Sequence, residues 1–161
     1  MIRRARPEDA ARISEVICAS IRALCVADHG GDPAKIANWL ANKTSADIAA
    51  LIAAQGCAVY VAGRPETGEI AAVGALDWAG QPAGQGKITL LYVAPEARRQ
   101  GFSAALLTAM EAELVALGRP EGRLTATATA HAFYRHHGWR ADGPPRPGRW
   151  ILGHPMQKRL D

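Results

Sequence analysis

The sequence predicts a mixed α/β domain of the α+β kind, a central and mostly antiparallel sheet flanked by helices. Three observations predict it. One short alternating strand precedes three amphipathic helical stretches; the period then switches to three β-branched runs joined by glycine-rich connections; a helix–strand–helix–strand succession closes the chain. With 161 residues there is enough chain for one core and too little to need two, so residues 1–161 read as a single domain.

Met1 to Ala5 alternates as a strand. Pro7 then suits a first helical turn, and Glu8 and Asp9 place carboxylates at the positive end of the helix dipole. Ile13, Val16, Ile17, Ile21 and Leu24 recur at helical spacing as one buried stripe, which the His29-Gly30-Gly31 turn ends. Asp32 ahead of Pro33 N-caps a short helix whose apolar face is Ile36, Trp39 and Leu40. Thr44-Ser45-Ala46-Asp47 reads as a capping box with Asp in place of Glu, opening a third helix through Ile48, Leu51 and Ile52 that Gly56 closes.

Cys57 to Ala62, Ile70 to Trp78 and Ile88 to Val93 follow as an antiparallel meander, separated by turn-rich segments at 63–68 and 79–87. Past Gly101, Leu107, Met110, Leu114 and Leu117 run down one helix face, and Gly118 with Pro120 stops that helix. Leu124 to Ala128 reads as a strand, Ala130 to His136 as a short helix, and Trp139 to Ala141 and Trp150 to Pro155 as closing strands.

Composition narrows the function. Apolar residues make up 48% and charged residues 21%, the balance of a folded globular chain. No stretch approaches the roughly 18 apolar residues of a membrane span, and Met1-Ile2-Arg3-Arg4 lacks a signal peptide's apolar core, so the expected location is cytoplasmic, with no membrane partner. Cys18, Cys25 and Cys57 are odd in number without Cys-x-x-Cys spacing, which points to buried free thiols. The net charge of +4 is spread along the chain, suiting an anionic small molecule. Aromatics total 6% and do not interleave with basic stripes, so no nucleic-acid partner is expected.

Two motif-like stretches fail on their chemistry. Gly80 to Ile88 ends Gly-Lys, but a phosphate loop would need glycine at Gln81 and a hydroxyl at Ile88. His131, His136 and His137 do not share a helix face, so no metal is expected.

The stretch that carries chemistry is Leu90 to Leu107, LLYVAPEARRQGFSAALL. A strand ending at Val93, a turn at Pro95 and a helix starting near Gly101 would converge the unpaired amides of residues 99 to 104 on one point, and such a point attracts phosphate. Gly101 lets a phosphate approach its backbone, Ser103 and Ala104 are small, and Arg98 and Arg99 add fixed positive charge.

This stretch resembles the acetyl-CoA-binding motif of the GNAT superfamily of N-acetyltransferases, a strand followed by Arg/Gln-x-x-Gly-x-Gly/Ala at the head of a helix. The resemblance implies acetyl-CoA as acetyl donor. Leu91, Tyr92 and Val93 would lie along its pantetheine arm, with Val93 the main contact. Arg98, Arg99, Gln100, Gly101, Phe102, Ser103 and Ala104 would form the pyrophosphate loop, with Ser103 where the family usually has glycine or alanine. Ala130 to Trp139, AHAFYRHHGW, is similar to the family's second motif and implies Phe133 beside the coenzyme and Tyr134 as general acid toward the departing thiolate. Thr127 stands nearest the place where the family often has Asn. Both chain ends resemble the family too, so the similarity spans nearly the whole sequence.

The implied reaction is direct acetyl transfer to a primary amine in a ternary complex. An amine of pKa about 10.4 needs about 4.6 kcal/mol to lose its proton at pH 7, so some group or water chain must take it. Many relatives use a glutamate early on the strand that ends Leu91-Tyr92-Val93, where this chain has Lys87. Asp77 is the first substitute as catalytic base; Asp28 and His29 come next, at the end of the first helix, where acceptors are usually bound. A water wire with no dedicated base is equally admissible. A main-chain N–H such as that of Val93, splayed from its neighbour, would stabilise the oxyanion. Homodimers are common among similar proteins. The rival reading, supported by Lys87, is an acyl-CoA-binding sensor or partner module without turnover.

Overall fold

The computed structural model describes residues 1–161. β1 (Ile2–Arg4) leads through a 3-10 turn to α1 (Ala10–Leu24), α2 (Val26–His29), α3 (Pro33–Leu40) and α4 (Ser45–Ala53). The meander is β2 (Cys57–Gly63), β3 (Ile70–Asp77) and β4 (Gln85–Val93). Then come α5 (Phe102–Ala116), β5 (Glu121–Ala126), α6 (His131–His136), β6 (Arg140–Ala141), β7 (Arg146–Pro147) and β8 (Leu152–Arg159). The strands lie in the order β1-β2-β3-β4-β5-β8-β6, with β7 added on β8. All neighbours are antiparallel except β4 and β5, whose parallel pairing follows from the crossover through α5.

Period-two alternation divides the core between the two sheet faces. Val59 and Val61 of β2, with Val73 and Ala75 of β3, face Ile13, Val16, Ile17 and Ile21 of α1. Ala58, Tyr60 and Ala62, with Ala72 and Leu76, face Leu106, Leu107, Met110 and Leu114 of α5. Helix starts follow the local signals: Asp32 accepts from the Ala34 amide, and Thr44 with Asp47 forms the reciprocal capping box.

Several boundaries differ from the sequence reading. The first helix stops at Leu24, because Cys25 leaves helical geometry (φ −98°, ψ 30°), and Val26–His29 forms a separate turn. Leu117, the C-cap residue just past α5, is exposed, while Leu106 is fully buried in the stripe. The strand expected at Leu124 to Ala128 starts at Glu121, where it pairs with Gln85, and ends at Ala126. Trp139 is a core residue ahead of β6, and Trp150 precedes β8, packing against the α1-side core.

Candidate active site

The site begins where the sheet stops being continuous. Parallel pairing between β4 and β5 runs from Gln85↔Glu121 to Ile88↔Leu124 and ends there, although β4 continues to Val93 and β5 to Ala126. At that point the β3–β4 register jumps from Leu76↔Ile88 to Ala75↔Leu90. Thr89 is therefore the extra residue of a bulge, which bends β4 away from β5. A cavity of about 240 Å³ fills the wedge. Ile88 to Val93 form one wall and Leu124 to Thr127 the other; Ser20 and Leu24 of α1 and Cys25 just past its end border it, as do Thr129, Ala130, Phe133 and Tyr134 from the loop and helix after β5.

The wedge exposes backbone groups. Ala94 donates its N–H to Ala71 on the β3 side at 2.7 Å, so strand alternation turns the N–H groups of Val93 and Leu91 to the other side, toward the gap. Beyond Val93 the chain makes a short 3-10 turn at Pro95–Ala97, held down by buried Ala94 and Ala97, and enters α5. Arg99 (φ 61°) and Gly101 (φ 86°) are both left-handed; for Arg99 this costs about 1 kcal/mol or more. The result is a run of amides, from Arg99 through Ala104, that donate to no acceptor in the protein; the first outside bond of α5 is Ala105 N–H to Gly101 O, at 3.0 Å. Arg98 borders the cavity, and neither Arg98 nor Arg99 forms an ion pair. This is an anion cradle at the N-terminus of a fifteen-residue helix.

Tyr134 supplies the other functional group. Its residue is 6% exposed, with its ring edge-on to Phe133 and Trp139. Its hydroxyl bonds to no protein group, is not sealed from solvent, and borders the cavity. Burial, with Tyr92 nearby, holds this phenol well above the ordinary range, so it stays protonated throughout neutral pH. Burial does the same to Tyr92 across the wedge. Thr127 accepts the Ala130 N–H at 3.0 Å and so fixes the entry to α6, which carries Tyr134. Cys25 is a buried thiol on the cavity wall, pushed up to about 12 chiefly by burial and then by the charge of Asp28.

Of the residues expected at the site, Leu91, Tyr92, Val93, Arg98, Ser103, Phe133 and Tyr134 all border this one cavity, and Arg99, Gln100, Gly101, Phe102 and Ala104 form the adjoining cradle. Three others are placed elsewhere. Asp77 sits opposite Lys87, outside the cavity walls, and its carboxylate accepts from the Gly80 amide and the Gln81 side chain at 3.1 Å each. It is a turn-forming residue. His29 is 2% exposed, with Nε2 2.8 Å from Ile21 O and Nδ1 accepting from the Gly31 N–H; both nitrogens are used in the backbone turn. Asp28 lies behind the wall, accepting from Ala128 N–H (2.7 Å), Thr129 N–H (3.2 Å) and Thr129 Oγ1 (2.6 Å). Sequence reasoning missed Ser20, Cys25, Thr89, Thr125 and Thr129 as wall residues. Only the α1 stripe hinted at any of them, since Ser20 and Leu24 lie one helical turn apart.

Comparison with known proteins agrees with this geometry. Residues 32–160 match the family model of the acetyltransferase (GNAT) domain. No curated protein matches the sequence significantly. Among solved structures, the chain is similar to a GCN5-related N-acetyltransferase from Rhodopseudomonas palustris, with TM-score 0.82, 24% identity, and 99% of this chain and 95% of that one covered. It is also similar to PaiA N-acetyltransferase from Thermoplasma acidophilum in complex with coenzyme A (TM-score 0.81, 19% identity, 99% and 98% covered). A phosphinothricin acetyltransferase from Sinorhizobium meliloti in complex with acetyl-CoA superposes with TM-score 0.71 at 20% identity, 99% and 88% covered. A bulged, splayed strand pair, a cradle of free amides at a helix start and a match across most of the chain agree: this protein belongs to the GNAT acetyltransferase family.

Proposed function

We propose that the protein transfers the acetyl group of acetyl-CoA to a primary amine by direct attack in a ternary complex. The observation that carries this reading is the wedge between β4 and β5, with free amides of the 99–104 loop at one end and the Tyr134 hydroxyl on its wall. The cradle and Arg98 suit a diphosphate, and of the two N–H groups turned into the gap, those of Leu91 and Val93, one suits an amide oxygen of an extended arm and the other its thioester carbonyl. The coenzyme complexes of the Thermoplasma and Sinorhizobium proteins support the same donor here.

Tyr134 serves the leaving thiolate. Full transfer from an ordinary phenol (about 10) to an ordinary thiol (about 8.5) is uphill by about 2 kcal/mol, and burial of Tyr134 steepens it, so its main contribution is a hydrogen bond that strengthens as negative charge grows on sulfur. The Val93 N–H is the donor for the developing oxyanion. Direct attack is favoured over a covalent enzyme intermediate because the one thiol on the wall, Cys25, is held protonated: at a pKa of about 12, about one molecule in 10⁵ carries the thiolate at pH 7. Three free cysteines suit a reducing compartment, and we place the protein in the cytoplasm.

One observation favours the second reading, an acyl-CoA-binding module: no carboxylate or imidazole borders the cavity. Incubation with acetyl-CoA and a panel of amines, following thiol release, decides. Release with at least one amine is expected. Tight coenzyme binding without release on any amine would favour the module.

A further inference from the structure

The reaction proposed above must dispose of one proton from the acceptor amine, and the cavity wall offers no acid or imidazole to take it. Among the polar side chains on that wall, one is hydrogen-bonded to a carboxylate. Thr129 Oγ1 donates to Asp28 Oδ2 at 2.6 Å, and Asp28 sits on the far side of it, partly exposed to solvent. The carboxylate is held in place by two further donors, the amides of Ala128 and Thr129, from a loop a hundred residues away in sequence. We infer that Thr129 and Asp28 form the proton exit of the acceptor site, a role that rests on the acetyltransferase reading and extends it.

The step balances as a relay. The acceptor enters as an ammonium: before attack one of its N–H bonds breaks and a new O–H bond forms on Thr129 Oγ1, while the original Thr129 hydroxyl proton passes to Asp28 Oδ2, leaving a neutral amine that attacks and whose second proton neutralises the departing thiolate. The neutral carboxyl then gives the proton to solvent water. Thr129 ends unchanged, Asp28 returns to carboxylate, and one proton has moved from amine to solvent. The titratable groups facing Asp28 are the Cys25 thiol at the end of α1 and the Tyr92 phenol of β4, both held protonated. Asp28 forms no ion pair with any Lys, Arg or His, and the neighbouring His29 ring is bound to Ile21 O and the Gly31 amide. The carboxylate is therefore free of a competing cation.

The test is a pH–rate series on the full chain with acetyl-CoA and the best amine of the panel. Asp28→Asn keeps the shape and an acceptor oxygen for the loop amides but cannot take a proton. It should lower kcat about 30- to 100-fold near pH 7, leave the Kd for acetyl-CoA within about twofold, and close most of the gap by about pH 9.5, where the free amine is abundant. Thr129→Val should show the same pH-dependent deficit, Thr129→Ser should recover most of it, and the Asp28→Asn/Thr129→Val double variant should be no slower than the worse single one. A deficit of equal factor at every pH, or full kcat in Thr129→Val, would overturn the relay and leave the acetyltransferase reading standing. Absence of thiol release by the wild type would overturn both.

Discussion

Replacing Gly101 tests the coenzyme cradle with little steric ambiguity. The residue has φ 86°, and a Cβ built on it meets no atom within 4 Å, so a side chain there is opposed by backbone conformation and not by collision. Holding a β-branched residue left-handed costs about 1–2 kcal/mol. Gly101→Val relieves that cost by swinging φ negative, which re-aims the amides on either side of the turn. If two hydrogen bonds to charged phosphate oxygens are lost at about 1.5 kcal/mol each, the deficit is about 3 kcal/mol, a factor of about 100 in Kd. Calorimetric titration with acetyl-CoA should show this loss. Melting of the free protein should fall by only about 2–8 °C, since the loop is exposed and a kcal/mol is worth about 2–4 °C at this size. Gly101→Asn, which tolerates the left-handed region, should bind better than Gly101→Ala, and both better than Val. An unchanged Kd in a folded Gly101→Val protein would refute the claim that these amides hold the diphosphate.

The remaining predictions follow from burial and packing. Tyr134→Phe keeps the ring against Phe133 and Trp139 and removes a hydroxyl with no protein partner, so acetyl-CoA should bind within about twofold of wild type while kcat falls about 10²-fold; unchanged turnover would remove Tyr134 from the mechanism. The Cys25 thiol is raised in the folded state to about 12 from about 8.5 when unfolded. The unfolded chain therefore loses that proton first, and stability drains away as pH rises through this window by up to about 1.4 kcal/mol per unit. Denaturant titrations should show a shallower alkaline decline in Cys25→Ala than in wild type; parallel declines would refute the assignment. In Gly122→Ala the new methyl would lie 2.7 Å from Trp139 Cη2 and 3.2 Å from Lys158 O. Trp139 is anchored to Glu111 at 2.9 Å and cannot retreat, so a loss of about 1–3 kcal/mol is expected on thermal melting, and an unshifted melt would contradict this packing.

What could be read directly from the sequence is what neighbouring residues decide among themselves. The caps at Asp32 and Thr44–Asp47 depend on side chains reaching amides two or three residues on, and they form as expected. The cradle is equally local: Pro95, Gly101 and the start of α5 suffice to leave a run of amides unpaired, which is why the 99–104 loop was visible in one dimension. The place of Tyr134 on the cavity wall was foreshadowed by its surrounding motif. The base was not. Asp77 and His29 have suitable chemistry, but their hydrogen-bonding capacity is taken up by turns that the pattern of apolar residues does not reveal.

Only the tertiary structure decided the wedge. Whether β4 parts from β5 after Ile88 depends on a bulge at Thr89, which arises from the register of β3 against β4 and leaves no mark in β4's own alternation. Whether Asp28 is a loose helix end or the partner of Thr129 depends on bringing together segments a hundred residues apart. Capping and turn preferences act through bonds and contacts a few residues long, so they survive as sequence patterns. Strand splay and long-range hydrogen bonds are selected by the packing of α1 and α5 on opposite faces of one sheet, and that balance of buried surface exists only once the chain has closed on itself.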